Sequence, residues 1–193
     1  EDGRAPQRAI SQELGIALGL TNAYLKRCVK KGFVKVRQIP ANRYAYYLTP
    51  QGFAEKTRLT AEYLSISFNF FRSSREQCAK LFEICGQNRW TRVALAGCGD
   101  LAEIATLCQR EEAGVEIVAI IDTVQDGKAP ESFAGLPVID RLTDLAKVHA
   151  VIVTDIVNAQ NVYDRLSKAL PPERILAAPL LKVSREPPRL FYE

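Results

Sequence analysis

The tightest constraint on the fold lies between residues 92 and 122. Arg92 to Ala96 is a short apolar strand that runs directly into Gly97-Cys98-Gly99-Asp100-Leu101-Ala102 and an amphipathic helix reaching about Glu112. A second strand, Val115 to Ile121, then stops at Asp122, 25 residues beyond Gly97. Strand, glycine-rich turn, helix, strand and terminal acid in this order make the Gly-x-Gly-x-x-Gly/Ala fingerprint of dinucleotide-binding folds. The glycines let the backbone turn sharply and approach a pyrophosphate, and the helix N-terminus offers unpaired N–H groups. The acid at the second strand's end can hold a ribose hydroxyl.

The alternation continues with Val138-Ile139, a short helix near Arg141 to Ala146, a strand from His149 to Thr154, a helix from Asn158 to Leu170 and a strand from Arg174 to Ala177. This predicts a parallel sheet covered on both faces. Candidate nucleotide-binding residues are Gly97, Cys98, Gly99, Asp100, Leu101, Asp122 and Thr154. Asp100 opposes that reading, because a carboxylate in the helix's first turn would cap the N–H groups a pyrophosphate needs and repel the phosphate. Three expectations therefore stand side by side: a dinucleotide site, a site for a sugar nucleotide or other small metabolite, and an empty domain used for assembly. Cys98 lies where a helix dipole lowers a thiol pKa, with Asp100 pushing it back up. Cys28, Cys78, Cys85 and Cys108 fall on apolar helical faces and read as packing residues. Five cysteines without a Cys-x-x-Cys pair, beside the single His149, argue against a disulfide scaffold and against a metal centre.

Charge divides the chain. Residues 1 to 60 hold 11 Lys/Arg against 4 Asp/Glu, residues 61 to 92 hold 5 against 3, and residues 93 to 193 hold 10 against 15. A basic front and an acidic rear imply two domains with different partners, a polyanion for the first and something small or neutral for the second. With 47% apolar and 25% charged residues the composition is that of globular protein, which excludes a disordered tail or a fibre. No apolar run approaches the roughly 18 residues of a membrane span, so a soluble, cytoplasmic chain is expected. The absence of methionine implies that sequence precedes Glu1.

In the basic front, Gln7 to Leu14 reads as a short helix, Gly15-Ile16 as a turn, and Leu18 to Lys31 as a second helix ended by Gly32 in a left-handed cap. Phe33 to Arg37, a turn at Ile39 to Asn42, and Arg43 to Leu48 form a β-hairpin behind it. Helix, turn, helix and hairpin make a winged helix, whose second helix enters the DNA major groove while the hairpin tip reaches backbone or minor groove. Tyr24, Leu25, Cys28 and Val29 are expected to face the core, leaving Asn22, Lys26, Arg27 and Lys30 outside. With Arg37, Asn42 and Arg43 on the wing, these are the candidate contacts to double-stranded DNA: Asn suits adenine edges, Lys suits guanine or phosphate.

Pro50 to about Gly86 is helical in composition. Leu64, Phe71, Cys78 and Cys85 recur every seven residues, with Phe68 and Phe82 four after Leu64 and Cys78. A seven-residue apolar repeat packs on a partner helix, and the expectation is the same helix of a second subunit, giving a homodimer suited to palindromic operators. Ser73-Ser74 is a candidate break, which would turn the stripe onto the chain's own domains instead.

Two resemblances rest on these residues. Gly32-Phe33-Val34-Lys35-Val36 and Tyr47-Leu48-Thr49-Pro50-Gln51-Gly52, leading into a long charged helix, resemble MarR-type winged-helix repressors over about the first 70 residues, in particular the small MarR-like regulators encoded near polysaccharide biosynthesis loci. The resemblance implies a further helix upstream of Glu1, and Ala17 stands where that family often has a Ser or Thr cap. The rear half resembles the nucleotide-binding domain of Rex-type redox-sensing repressors, through Gly97-Cys98-Gly99-Asp100-Leu101, Val118 to Asp122, Gly135-Leu136-Pro137-Val138, Val151 to Thr154 with Ala159-Gln160, and Ile175 to Pro179. It also resembles the N-terminal domains of sugar-nucleotide modifying proteins. Rex proteins join a winged helix to a Rossmann domain and read the NADH to NAD ratio, so NAD(H) or a sugar nucleotide is the implied effector. Only 14 residues follow Pro179, which leaves little room for the C-terminal helix that Rex proteins exchange between subunits.

The expected architecture is α/β: an N-terminal winged helix-turn-helix over residues 1–52, a helical connector over 53–88 and a C-terminal Rossmann-like parallel sheet over 89–193. The expected function is transcriptional regulation of DNA under control of a nucleotide-like effector. The alternative is an NAD-dependent oxidoreductase or sugar-nucleotide modifying enzyme with an appended DNA-binding domain. An enzyme needs a proton-handling group near its cofactor, and no His, Lys or Tyr stands at a convincing strand end.

Overall fold

The computed structural model describes residues 7–39, 43–110, 114–121, 130–139 and 148–185. The chain divides into two units, Glu1–Ser67 and Phe68–Glu193, and the division falls within one long helix.

In unit 1, helix α1 (Gln7–Glu13) turns through Gly15, whose φ of 62° is left-handed, into α2 (Leu18–Lys30). Gly32, at φ 75°, follows α2 and releases the chain into an antiparallel hairpin of β1 (Val34–Ile39) and β2 (Arg43–Leu48), with Val34 opposite Leu48. Ala17 gives α2 no side-chain cap; instead the Thr21 hydroxyl donates to the Ala17 carbonyl at 3.2 Å. Contrary to expectation, Tyr24 and Val29 are exposed, at 52% and 38%. The inward stripe of α2 is Thr21, Leu25 and Cys28, one turn apart, so Tyr24 and Val29 fall on its two edges.

The loop into helix α3 (Pro50–Gln87) is built by Thr49. Its hydroxyl donates to the Gly32 carbonyl at 2.6 Å and accepts the Gly52 N–H at 3.0 Å, an N-cap with proline at the first helical position. Gly52 has no room for a side chain: a Cβ there would sit 1.9 Å from the Phe33 carbonyl oxygen.

Helix α3 runs unbroken through Ser73-Ser74, because serine lowers helix propensity only slightly and Ser74 is buried. The apolar stripe nevertheless changes role there. Cys78, Leu81, Phe82 and Cys85 are buried against Val93, Leu95, Leu101 and Cys108 of their own unit, so they are core and not a seam toward a second subunit. Leu64, Phe68 and Phe71 are exposed.

Unit 2 is a six-stranded sheet: β3 (Arg92–Ala96), β4 (Glu116–Ile121), β5 (Ser132–Phe133), β6 (Leu136–Ile139), β7 (Ala150–Val153) and β8 (Ile175–Ala177), in the order β5-β6-β4-β3-β7-β8. All pairs are parallel except β5 with β6, a short edge hairpin not anticipated from sequence. The order from β6 to β8 is that of a doubly wound fold, which reverses between β3 and β7. Val93 and Leu95 belong to one core and Ala94 and Ala96 to another, so strand alternation divides them between opposite faces. The C-terminal half of α3 and helix α4 (Asp100–Gln109) cover the first face, and α5 (Ala159–Leu166) covers the second. Among the described residues no helix is long and apolar enough to cross a membrane.

Candidate nucleic-acid interface and sheet crevice

In unit 1 the exposed side of α2 carries Lys26, Arg27 and Lys30, with no acid in the first turn. On the hairpin, Lys35 and Arg37 are exposed, and register places Lys35 opposite Tyr47 and Arg37 opposite Ala45. Lys35 was not among the expected contacts; the two-residue alternation of β1 was the signal for it. The backbone of Arg43 opens β2, while Asn42 lies outside the described residues. Asn22 is half-buried, not free-standing: Gln7 Nε2 donates to its Oδ1 at 3.2 Å and also donates to the Tyr46 hydroxyl.

In unit 2 the strand order reverses between β3 and β7, and the carboxyl ends of such strands are where doubly wound folds form a crevice for their ligands. Gly97, at φ 114°, donates its N–H to the Ile121 carbonyl at 3.0 Å. A Cβ on Gly97 would meet the Asp155 nitrogen at 2.6 Å, so glycine is required there by both conformation and space. Thr154 is buried, and its hydroxyl donates to the Gly97 carbonyl at 2.7 Å; it ties the two loops together. Asp155 Oδ1 accepts the Val157 and Asn158 N–H groups at 2.9 and 2.7 Å, which orders the approach to α5. Sequence reading missed Asp155, although an Asp beyond a strand and ahead of a helix is a recognisable turn-forming signal.

Gly99 has extended backbone, and nothing lies within 4 Å of where its Cβ would be. The turn thus leaves room for a phosphate beside the N-terminus of α4. The electrostatics oppose it, since the first turn of α4 carries Asp100 and Glu103. Asp100 does not cap the helix as expected: α4 has no side-chain cap, and the Ala102 and Glu103 N–H groups turn back to the Gly99 carbonyl. Asp100 is exposed. Leu101 is fully buried and packs the helix on the sheet, and Cys98 is half-buried against the same core. Asp122 lies outside the described residues. No cluster suited to a metal occurs among the described residues.

Residues 1–35 match the family of winged helix-turn-helix DNA-binding domains, a span that includes all of α2. Among solved structures the chain is similar to RSP, a Rex-family repressor, at 17% identity and a TM-score of 0.35, over 91% of this chain and 76% of that one. A search of curated proteins finds no match.

Proposed function

We propose that the chain is a DNA-binding transcriptional regulator, with winged helix, helical connector and sheet domain over residues 1–52, 53–88 and 89–193. The observation that carries this reading is the exposed cationic side of α2, where Lys26, Arg27 and Lys30 lie within the residues 1–35 that match winged helix-turn-helix domains and are followed by a hairpin exposing Lys35 and Arg37. Phosphate contacts of this kind release counterions, so affinity for duplex DNA falls steeply as salt rises. A mobility-shift titration at several salt concentrations tests it: Lys26→Ala lowers affinity and flattens the salt slope, whereas salt-independent binding or none overturns the reading.

Two finer features belong to the same reading. The exposed part of the α3 stripe, Leu64, Phe68 and Phe71, pairs two copies, since three large apolar side chains on one face lose water contact only against a partner. Phe71→Glu then yields single chains in sedimentation, and a parent that is already monomeric at micromolar concentration refutes the pairing. The crevice takes a nucleotide, NAD(H) or a sugar nucleotide, with its phosphates over the Gly97 to Gly99 turn. The group would supply the effector signal, and binding in the crevice and on DNA would be coupled reciprocally. Thr154 and Asp155 hold backbone groups in place, which suits a binding crevice better than proton transfer. Calorimetric titration checks this: Gly99→Val fills the open space and abolishes nucleotide binding without unfolding unit 2, and Asp100→Asn tightens it by removing repulsion. Failure of parent and Asp100→Asn alike to bind at millimolar nucleotide removes the effector from the proposal.

A further inference from the structure

We propose that Gln7 decides which base edge Asn22 reads, by holding the Asn22 carboxamide with its donor outward. The inference rests on the DNA-binding reading above and adds to it a specificity rule. Asn22 is the fifth residue of α2, in the N-terminal half of the helix, the part that meets base edges when such helices dock in the major groove. A free asparagine there presents one donor and one acceptor, the complement of adenine's N7 and N6 amino group. Asn22 is not free. Its Oδ1 accepts the Gln7 Nε2 hydrogen at 3.2 Å, and its Nδ2 has no acceptor among the described residues.

Gln7 is itself held, because the same Nε2 donates to the hydroxyl of Tyr46 on β2. One amide nitrogen thus bridges two oxygens, one on the recognition helix and one on the wing, and Gln7 and Asn22 can turn over only together. With Oδ1 taken by Gln7, what α2 offers at this position is a donor, the Nδ2 amino group. Its full complement is an acceptor edge: guanine, with N7 and O6, or thymine, with O4; adenine meets it only through N7, beside the N6 amino donor. Cytosine, whose major-groove edge offers only the N4 amino donor, is the base it rejects. Gln7 is a positioning residue here; it acts on DNA through Asn22.

The test is binding-site selection from a random duplex pool. The parent selects guanine or thymine on the contacted strand at one position of each half-site, and Asn22→Ala flattens the preference at that position alone. Gln7→Glu replaces the donor with acceptors, so Asn22 turns its Nδ2 inward and its Oδ1 outward, and cytosine replaces guanine or thymine by roughly three- to tenfold, the scale of one hydrogen bond. Asn22→Asp, which keeps the Gln7 bond and puts an acceptor outward, moves the preference the same way and carries the test if Gln7→Glu fails to fold by circular dichroism. Unchanged selection in both variants, with the parent still binding DNA, overturns this inference and leaves the DNA-binding reading intact. A parent that selects nothing overturns both.

Discussion

The two units bury themselves to very different degrees. Among the described residues of unit 1, the buried positions are Ser11, Thr21, Ala45 and Gly52, while Leu20, Tyr24, Leu48, Phe53 and Tyr63 remain exposed. An open groove of about 400 Å³ runs between the hairpin and the first turns of α3. Unit 2 encloses Phe82, Leu95, Leu101, Ile120, Ile152 and Ile175 almost completely, in two cores on opposite faces of its sheet. A unit of this smaller size buries a lower fraction of its surface, so the winged helix leaves apolar and cationic side chains facing outward for partners. The sheet domain is held by its own core. One helix takes part in both regimes, since the apolar stripe of α3 is core after Ser74 and exposed before it.

That contrast breaks most readily at Phe82. Phe82→Ala, at a site with no exposure, lowers the stability of unit 2 by about 3–5 kcal/mol. Trp90, the sole tryptophan, packs against the same core, so its fluorescence during denaturant unfolding reports the loss. A small effect there would mean that Phe82 belongs to a seam between copies after all.

Gly52→Ala is expected to destabilise unit 1 by about 3 kcal/mol, because the new methyl group overlaps the Phe33 carbonyl. Circular dichroism follows the early loss of helix while the Trp90 transition stays in place. Movement of the Trp90 transition by the same amount would show that the two units unfold together.

Alkali sharpens the comparison more gently. Burial pushes the Cys78 thiol up to about 12 and the Cys85 thiol up to about 11. Both keep their protons in the fold at a pH where the unfolded thiol, near 8.5, has lost its own. Their contribution is therefore fully present below about pH 8.5 and declines as pH rises toward 11 and 12. The Trp90 transition falls modestly by about pH 9.5, and Cys78→Ser with Cys85→Ser removes this part of the slope. A slope unchanged in that double variant would place its origin elsewhere.

The smallest effect is expected at Phe68. Phe68→Ala, on a side chain 57% exposed, changes the stability of a single chain by no more than about 0.5 kcal/mol. Its effect appears in association, measured by sedimentation. A loss comparable to that of Phe82→Ala would erase the distinction between the two halves of α3.

Much of this molecule was legible in its sequence because the signals are local. Gly15 and Gly32 announce left-handed backbone, the hairpin follows from two short runs around a turn, and the Gly97 to Ile121 segment spells out strand, turn, helix and strand. The candidate sites were legible in part. The exposed cations of α2 and the open turn at Gly99 could be read from residue type and spacing, whereas the tethering of Asn22 could not. Gln7, Asn22 and Tyr46 come from three elements, and no periodicity relates them. The bonding of Thr154 to Gly97 across 57 residues was hidden for the same reason.

By itself, then, the sequence determined the order and kind of elements, the charge separation of front from rear, and the glycine turn between β3 and α4, all of which depend on residues near one another along the chain. The tertiary structure decided the rest. It set which half of an apolar repeat became core, because burial depends on which strands and helices arrive against α3 and not on the spacing of the repeat. It left Asp100 exposed beside an uncapped helix, and it made Gly52 and Gly97 obligatory through the approach of Phe33 and Asp155. Such contacts join residues far apart in sequence, and their geometry comes into existence only when the chain has folded.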